Sequence, residues 1–321
     1  MGVLVNLQQL MERDGTLSAY AVDFFPPLWE TSKHNGHVYA LPFDTNKTLM
    51  YYNRDILSRL GVAEPRDDWT WSEFVEIARR IASPPDRYSY SAINDWRHFI
   101  DWLGSAGGAV LTPDGGEITL DSPETREALQ YMFDLVHTHE LAPPPQAGAE
   151  FWRTAFAEGR LAFEVQGSYR LPQYSVLGTT NLGAVAQPQL RQRYSSLGGE
   201  SVVILDTTPE ENEAAWTFIQ WMTNTYANAK WSAISGYIPV RRSSVQHEMY
   251  QDVLMGDPVR RRFVEEVVYG DRLPSVPGGD QIFNILTRMA SGVVDQMIFP
   301  EEAIARAVLE LRTALFPESE G

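Results

Sequence analysis

Cysteine is absent from the 321 residues. Disulfides, thiolate nucleophiles and cysteine-ligated zinc or iron–sulfur centres are therefore excluded. Long apolar runs are missing as well: no stretch approaches the roughly 18 consecutive apolar residues of a spanning helix. Positive charge is in deficit. Lys and Arg number 26 against 42 Asp and Glu, which leaves a formal charge of −16. Nucleic-acid binders hold phosphates with clustered Lys and Arg, so this balance argues against that class, and equally against broad docking on anionic lipid. Reaction motifs are missing too. The chain has no GxSxG elbow, Walker A loop, HExxH or GxGxxG. The glycine-rich run Gly104–Gly108 has neither the spacing of a phosphate loop nor its Lys-Ser/Thr. The opening Met1–Leu10 carries neither a basic region nor an apolar core of signal-peptide type.

What is present is a globular composition, with 44% hydrophobic, 21% charged and 12% aromatic residues. Helix starts are written in cap chemistry. Thr70-Trp71-Ser72-Glu73 is a capping box, followed by Phe74, Ile77, Ala78 and Ile81 on one face. Ser122-Pro123-Glu124 offers an N-cap, an N1 proline and an early acid ahead of Leu129, Met132, Phe133 and Val136. Thr208-Pro209-Glu210-Glu211 repeats that chemistry, and its helix is expected to bury Ala215, Phe218, Ile219 and Met222. Short apolar runs at Val38–Pro42, Leu161–Val165, Leu182–Ala186 and Val202–Leu205 read as strands, and Asp114-Gly115-Gly116 as a turn ahead of a strand at Ile118–Leu120. Strands alternating with amphipathic helices predict an α/β fold.

The chemistry-bearing residues are sparse. The pairs His34/His37 and His137/His139 lack a metal-ligand constellation, and Glu210/Glu211, Glu265/Glu266 and Glu301/Glu302 read as solvated helix surface. No metal or cofactor is expected. Tryptophan is frequent, at nine residues. Trp216 reads as core, and Trp71, the first residue after an N-cap, as part of a hydrophobic staple. Trp96 and Trp102 fall in a segment read as lying between elements, beside Asp and Asn. There, flat ring faces suit sugar rings and the polar neighbours suit hydroxyls.

Several segments together resemble the extracellular solute-binding proteins of ABC importers, the group that includes the maltose- and glycerol-3-phosphate-binding proteins. Gly36–Asp55 (GHVYALPFDTNKTLMYYNRD) is similar to the family's "YALP" strand, ligand loop and "YYNKD". Trp69–Phe74 resembles its "TWDEF" helix start. Phe156–Phe163 with Gly167-Ser168-Tyr169 resembles "F..GKAAM…G.W". Leu197-Gly198-Gly199 precedes a helix as in the family, and Gly236–Val240 is similar to "GYLPV". The order holds across nearly the whole chain.

The resemblance implies a two-lobed periplasmic-binding-protein-like type II fold. Residues 1–43 and 199–243 would belong to lobe one, 44–198 to lobe two, and 244–321 to a C-terminal helical segment packed mainly on lobe two, with ligand in the cleft between. Position by position, it implies contacts from Asp44, Asn46 and Lys47 on the loop after the first crossing, and from Trp96 in the variable aromatic segment. Ser168 and Tyr169 follow, with Tyr169 in place of a stacking Trp; then come Gly198 and Gly199 at the return crossing, Tyr237, and Phe283 beyond the Val276-Pro277 loop. It further implies that the opening part of lobe one, about sixty residues or more at two βαβ units, precedes the start of this chain.

The implied function is non-enzymatic: a monomeric substrate-binding component that takes a small-molecule solute, a sugar or oligosaccharide, to ABC permease subunits in the membrane. Its implied location is extracytoplasmic, in the periplasm or as a cell-surface lipoprotein, with no nucleic-acid partner. Two alternatives stay open. One is a glycerol-3-phosphate-type binder, for which Lys47, Arg97 and Arg170 are the available cations. The other is a carbohydrate-active enzyme using paired carboxylates.

Overall fold

Cap chemistry decides where the helices begin. In the computed structural model, which describes residues 3–91, 95–143, 154–176 and 181–317, Thr70 and Glu73 form the reciprocal capping box of the helix Trp71–Ile81. Ser122 accepts from Thr125 N at the start of Pro123–His137, and Thr208 from Glu211 N at the start of Pro209–Met222. In the last of these helices Ile219 is in the core and Ala215 packs against it as expected, but Phe218 is 54% exposed and Trp216 is buried instead. The Trp216 ring packs in the core of the unit while its indole N–H donates to Asp14 Oδ2 at 2.7 Å, and Phe218 lies outward beside Trp221.

The chain forms two compact units. Unit 1 holds residues 1–47, 167–173 and 197–267; unit 2 holds 48–166, 174–196 and 268–321. In unit 1, Ala40–Pro42 pairs antiparallel with Ser201–Val203. Val5 N donates to Ile204 O, and Asp206 N to Val3 O, on the segment just beyond. Helices Leu7–Arg13, Leu17–Asp23, Pro26–Glu30 and Pro209–Met222 close over a core built on Leu7, Met11, Phe24, Trp29, Leu41 and Trp216. The helices Thr225–Ser235, Glu248–Gly256 and Pro258–Glu266 also belong to this unit.

Unit 2 is an α/β body, as the alternation of strand and helix predicts. Tyr88–Tyr90 runs parallel to Leu161–Gly167, and Met50–Asn53 pairs antiparallel with Leu182–Val185. Helices Trp71–Ile81, Trp96–Ser105, Pro123–His137, Asp280–Val294 and Pro300–Leu315 pack around Phe74, Trp102, Phe163 and Leu286. The expected strand at Ile118–Leu120 does not form. Ile118 makes an isolated bridge to Leu111, flanked by Thr112 N to Glu117 O and Thr119 N to Val110 O, and the pairing goes no further. Trp96–Ser105 is a helix, not a connecting segment, and it carries Trp102 into the core, 1% exposed against Trp71 and Tyr131.

Candidate functional site

Strand pairing sets the positions in unit 1. Asn46 and Lys47 do not lie on a loop: they open the eight-residue strand Asn46–Asn53. Its run Leu-Met-Tyr-Tyr is buried on both faces, so the segment holds as a strand through its neighbours and not through an alternating pattern. Asn46 is registered opposite Gly198 and Lys47 opposite Leu197. On the other side, Thr45 exchanges both backbone hydrogen bonds with Ile238, at 3.3 and 2.7 Å. That exchange brings the Tyr237 segment alongside.

Two glycines allow the resulting closeness. A Cβ on Gly198 would lie 2.9 Å from Asn46 Nδ2. One on Gly167 would lie 2.3 Å from the Tyr169 ring and 3.3 Å from Asn46 Oδ1. The Asn46 amide therefore sits beside two bare backbone positions, next to the partly exposed Tyr169 ring. That ring lies 5.9 Å from the ring of Tyr237. Gly199, at φ 127°, presses on the backbone of Asp44, 2.3 Å from a built Cβ to the carbonyl oxygen. Ser168 is fully buried; its backbone carbonyl approaches Gly236, and its hydroxyl makes no hydrogen bond among the described residues. Lys47 is buried.

Asp44 is the electrostatic centre of this group. Oδ1 accepts from Glu200 N at 3.2 Å, and Oδ2 from Trp231 Nε1 at 3.0 Å. Burial, reinforced by the neighbouring Glu200 carboxylate, pushes Asp44 up to about 7. Trp231, 41% exposed, also packs its ring 5.1 Å from Phe43. Neither Glu200 nor Trp231 is singled out by the sequence. The signal that could have found Trp231 is its position on the open face of Thr225–Ser235 with Tyr226 and Ile234, an aromatic on a surface that needs none for packing.

Unit 2 brings the remaining pair together. Trp96 begins the helix Trp96–Ser105, with Asp95 as N-cap. Its ring lies 4.3 Å from that of Phe283 on the helix Asp280–Val294, and its backbone N–H donates to Thr287 Oγ1 at 3.2 Å. The Arg97 guanidinium lies 4.6 Å from the same indole. Among the described residues no group of three or more His, Asp or Glu is arranged to hold a metal ion.

The amide beside bare backbone, the tyrosine rings and the carboxyl thus lie in unit 1, and the aromatic pair lies in unit 2. The family model for bacterial extracellular solute-binding proteins matches residues 1–255, and the chain belongs to that family. Among curated relatives, the maltotriose-binding protein of Pyrococcus abyssi is 25% identical over 295 residues, 89% of this chain and 61% of that protein. The arabinooligosaccharide-binding protein of Halalkalibacterium halodurans is 25% identical over 263 residues, 78% and 58% respectively. The chain thus spans about three fifths of these relatives. An ABC transporter solute-binding protein of Thermotoga lettingae, solved with α-D-tagatose, matches at a TM-score of 0.83 and 24% identity, covering 98% of this chain and 80% of that one. That likeness shows a shared fold.

Proposed function

We propose that this chain is the substrate-binding component of an ABC importer, that it takes up a sugar or oligosaccharide, and that it delivers the solute to membrane permease subunits. It would act as a monomer outside the cytoplasm, in the periplasm or on the cell surface as a lipoprotein, and without catalysis. The observation that carries the reading is the convergence in unit 1 of the Asn46 amide, Gly167, Gly198, Tyr169 and Tyr237. An amide both donates and accepts, as sugar hydroxyls require, and tyrosine rings offer a flat face with a polar tip. The names of the two curated relatives support the same solute class.

The glycerol-3-phosphate alternative needs uncommitted cations. Arg97 is engaged by Asp95 at 3.4 Å and by the Trp96 ring, Arg170 is hydrogen-bonded to Gln173, and Lys47 is buried. These features favour a neutral solute. Calorimetry with maltotriose, arabinotriose and glycerol-3-phosphate tests the choice: heat with a trisaccharide and none with the phosphate is expected, and the reverse overturns it. Shortened products after incubation with oligosaccharide would favour an enzyme instead.

A further inference from the structure

The helix that presents Trp96 contains a buried histidine with an acceptor at each ring nitrogen. His98 Nδ1 lies 2.8 Å from Asp95 Oδ1, and Nε2 lies 3.3 Å from the Val165 carbonyl oxygen. A neutral imidazole has one N–H and one lone pair, so it would turn that lone pair onto one of these oxygens. The imidazolium donates to both. Charged groups acting on it are Asp95 and Asp101 on the same helical stretch, with Arg97 reaching Asp95 Oδ2; on the neighbouring strands Tyr90 interacts with both aspartates and with Glu164. Glu164 is already engaged by Tyr174 and Gln166. Burial works against the charged ring, but the Asp95 carboxylate overrides it, and the pKa of His98 stands above its ordinary value.

Asp95 has a second task. The oxygen that faces His98 also accepts from Arg97 N at 3.0 Å and His98 N at 3.1 Å, which makes it the helix cap. The turn it closes carries Trp96. We propose that protonated His98 is a positioning residue of the unit 2 solute surface: it clamps Asp95 as the cap, and so holds Trp96 against Phe283 and Thr287. On loss of a proton to solvent, Nδ1–H stays on Asp95, the nearer partner, so the lone pair faces Val165 O and the ring shifts from that carbonyl; the bond to Asp95 loses its charge assistance, the cap loosens, and affinity for solute falls as pH rises. This rests on the reading of Trp96 as a solute contact.

The test uses the full chain. Nitrogen-15 NMR of labelled histidine is expected to show both His98 ring nitrogens protonated at about pH 6, with titration above the ordinary value of about 6.5. Amide exchange at Arg97 and His98, corrected for its intrinsic pH dependence, should quicken severalfold as His98 titrates. The maltotriose Kd should weaken severalfold over the same range, and His98→Gln should remove that change. Asp95→Asn keeps a capping side chain, so it is a second probe if His98→Gln fails to fold, and it should lower the His98 pKa. A singly protonated His98 at about pH 6, or a Kd whose pH dependence is unaltered in both variants, overturns the clamp and leaves the carbohydrate reading intact. If no sugar binds at any pH while the two amides still loosen with His98, the clamp stands and the carbohydrate reading alone fails.

Discussion

Asp101 Oδ1 accepts a hydrogen bond from the backbone N–H of Ser196 at 2.6 Å. Its other oxygen accepts from Thr48 Oγ1 and Gln187 Nε2, each at 2.7 Å. One buried carboxyl thus gathers three separate segments of unit 2. Thr48 and Ser196 are the residues at which two strands leave that unit for the next, so the network fixes the ends of both.

Removing the acceptor should be costly. Asp101→Ala removes the acceptor of Thr48 Oγ1, Ser196 N and Gln187 Nε2, the last of which keeps a bond to Thr48 Oγ1, and with about 1–3 kcal/mol for each donor left unsatisfied it is expected to lower stability by about 2 kcal/mol or more. Asp101→Asn should cost clearly less. Gln187 Oε1 is buried and accepts nothing among the described residues, so the Gln187 amide can flip and take a bond from the new NH₂ group. Urea denaturation of both variants checks the order; equal losses would show that the Gln187 flip does not occur.

Titration should make the protein most stable on the mildly acidic side of neutral. Burial pushes Asp101 up, burial with Glu200 pushes Asp44 up to about 7, and His98 stands above its ordinary value despite burial because of Asp95. A group with a raised folded pKa binds its proton more tightly when folded. Its contribution is complete below the unfolded pKa and is lost as pH rises through the folded one. All three therefore act in the same direction. Asp95 acts oppositely: burial raises it, but His98 and Arg97 bring it well below the carboxylate range, so its contribution is complete above the unfolded value of about 4 and is lost as pH falls below that. The denaturation midpoint is expected to fall as pH rises from about 5 through about 7, and Asp44→Asn should flatten that fall. A midpoint that rises over this interval would contradict these assignments.

The two glycines of the Leu197–Glu200 turn should respond differently to alanine. At Gly199, φ is 127° and the added Cβ would lie 2.3 Å from Asp44 O and 2.7 Å from Thr45 Cα, both backbone atoms that cannot yield. Gly199→Ala should cost more than about 2 kcal/mol. At Gly198 the obstacle is the Asn46 side chain, 2.9 Å away, which can swing aside. Gly198→Ala should fold with a loss of about 1 kcal/mol or less but displace the Asn46 amide and weaken solute binding. Melting curves and calorimetry on the pair separate the two effects, and identical behaviour would refute the distinction.

What the sequence made legible was local. Thr70 with Glu73, Ser122 and Thr208 announce their helices because cap and partner lie within a few residues of one another. The strand Asn46–Asn53 was hidden, since a polar start followed by Leu-Met-Tyr-Tyr has no alternation. It is a strand only because Leu182–Val185 and Leu197-Gly198 pair with it. The same limit hid Trp231 and Glu200. Their roles depend on Asp44, distant in the chain, and no pattern spans that distance. Phe218 was misplaced for a related reason: the periodicity permitted two neighbouring residues on the buried face, and the distant core of Tyr20, Phe24 and Trp29 takes Trp216.

The tryptophans of the helix Trp96–Ser105 offer the sharpest separation of recognition from packing. Trp102 is enclosed by Trp71, Tyr90 and Tyr131. Trp102→Ala should therefore cost about 3–5 kcal/mol of stability through the cavity it leaves. Trp96 packs at the helix start against Phe283, itself 36% exposed, and its backbone N–H bond to Thr287 survives truncation of the ring. Trp96→Ala should leave the fold largely intact and weaken maltotriose binding by about 1–3 kcal/mol, the range for aromatic stacking platforms. Tyr169→Ala in unit 1 should do the same, because its partner Tyr237 remains in place. Calorimetry at matched folded fractions reads the affinity, and a thermal melt reads the fold. Unchanged affinity in both Trp96→Ala and Tyr169→Ala would remove both rings from the solute surface. A fold lost in Trp96→Ala to the same extent as in Trp102→Ala would make Trp96 a core residue instead.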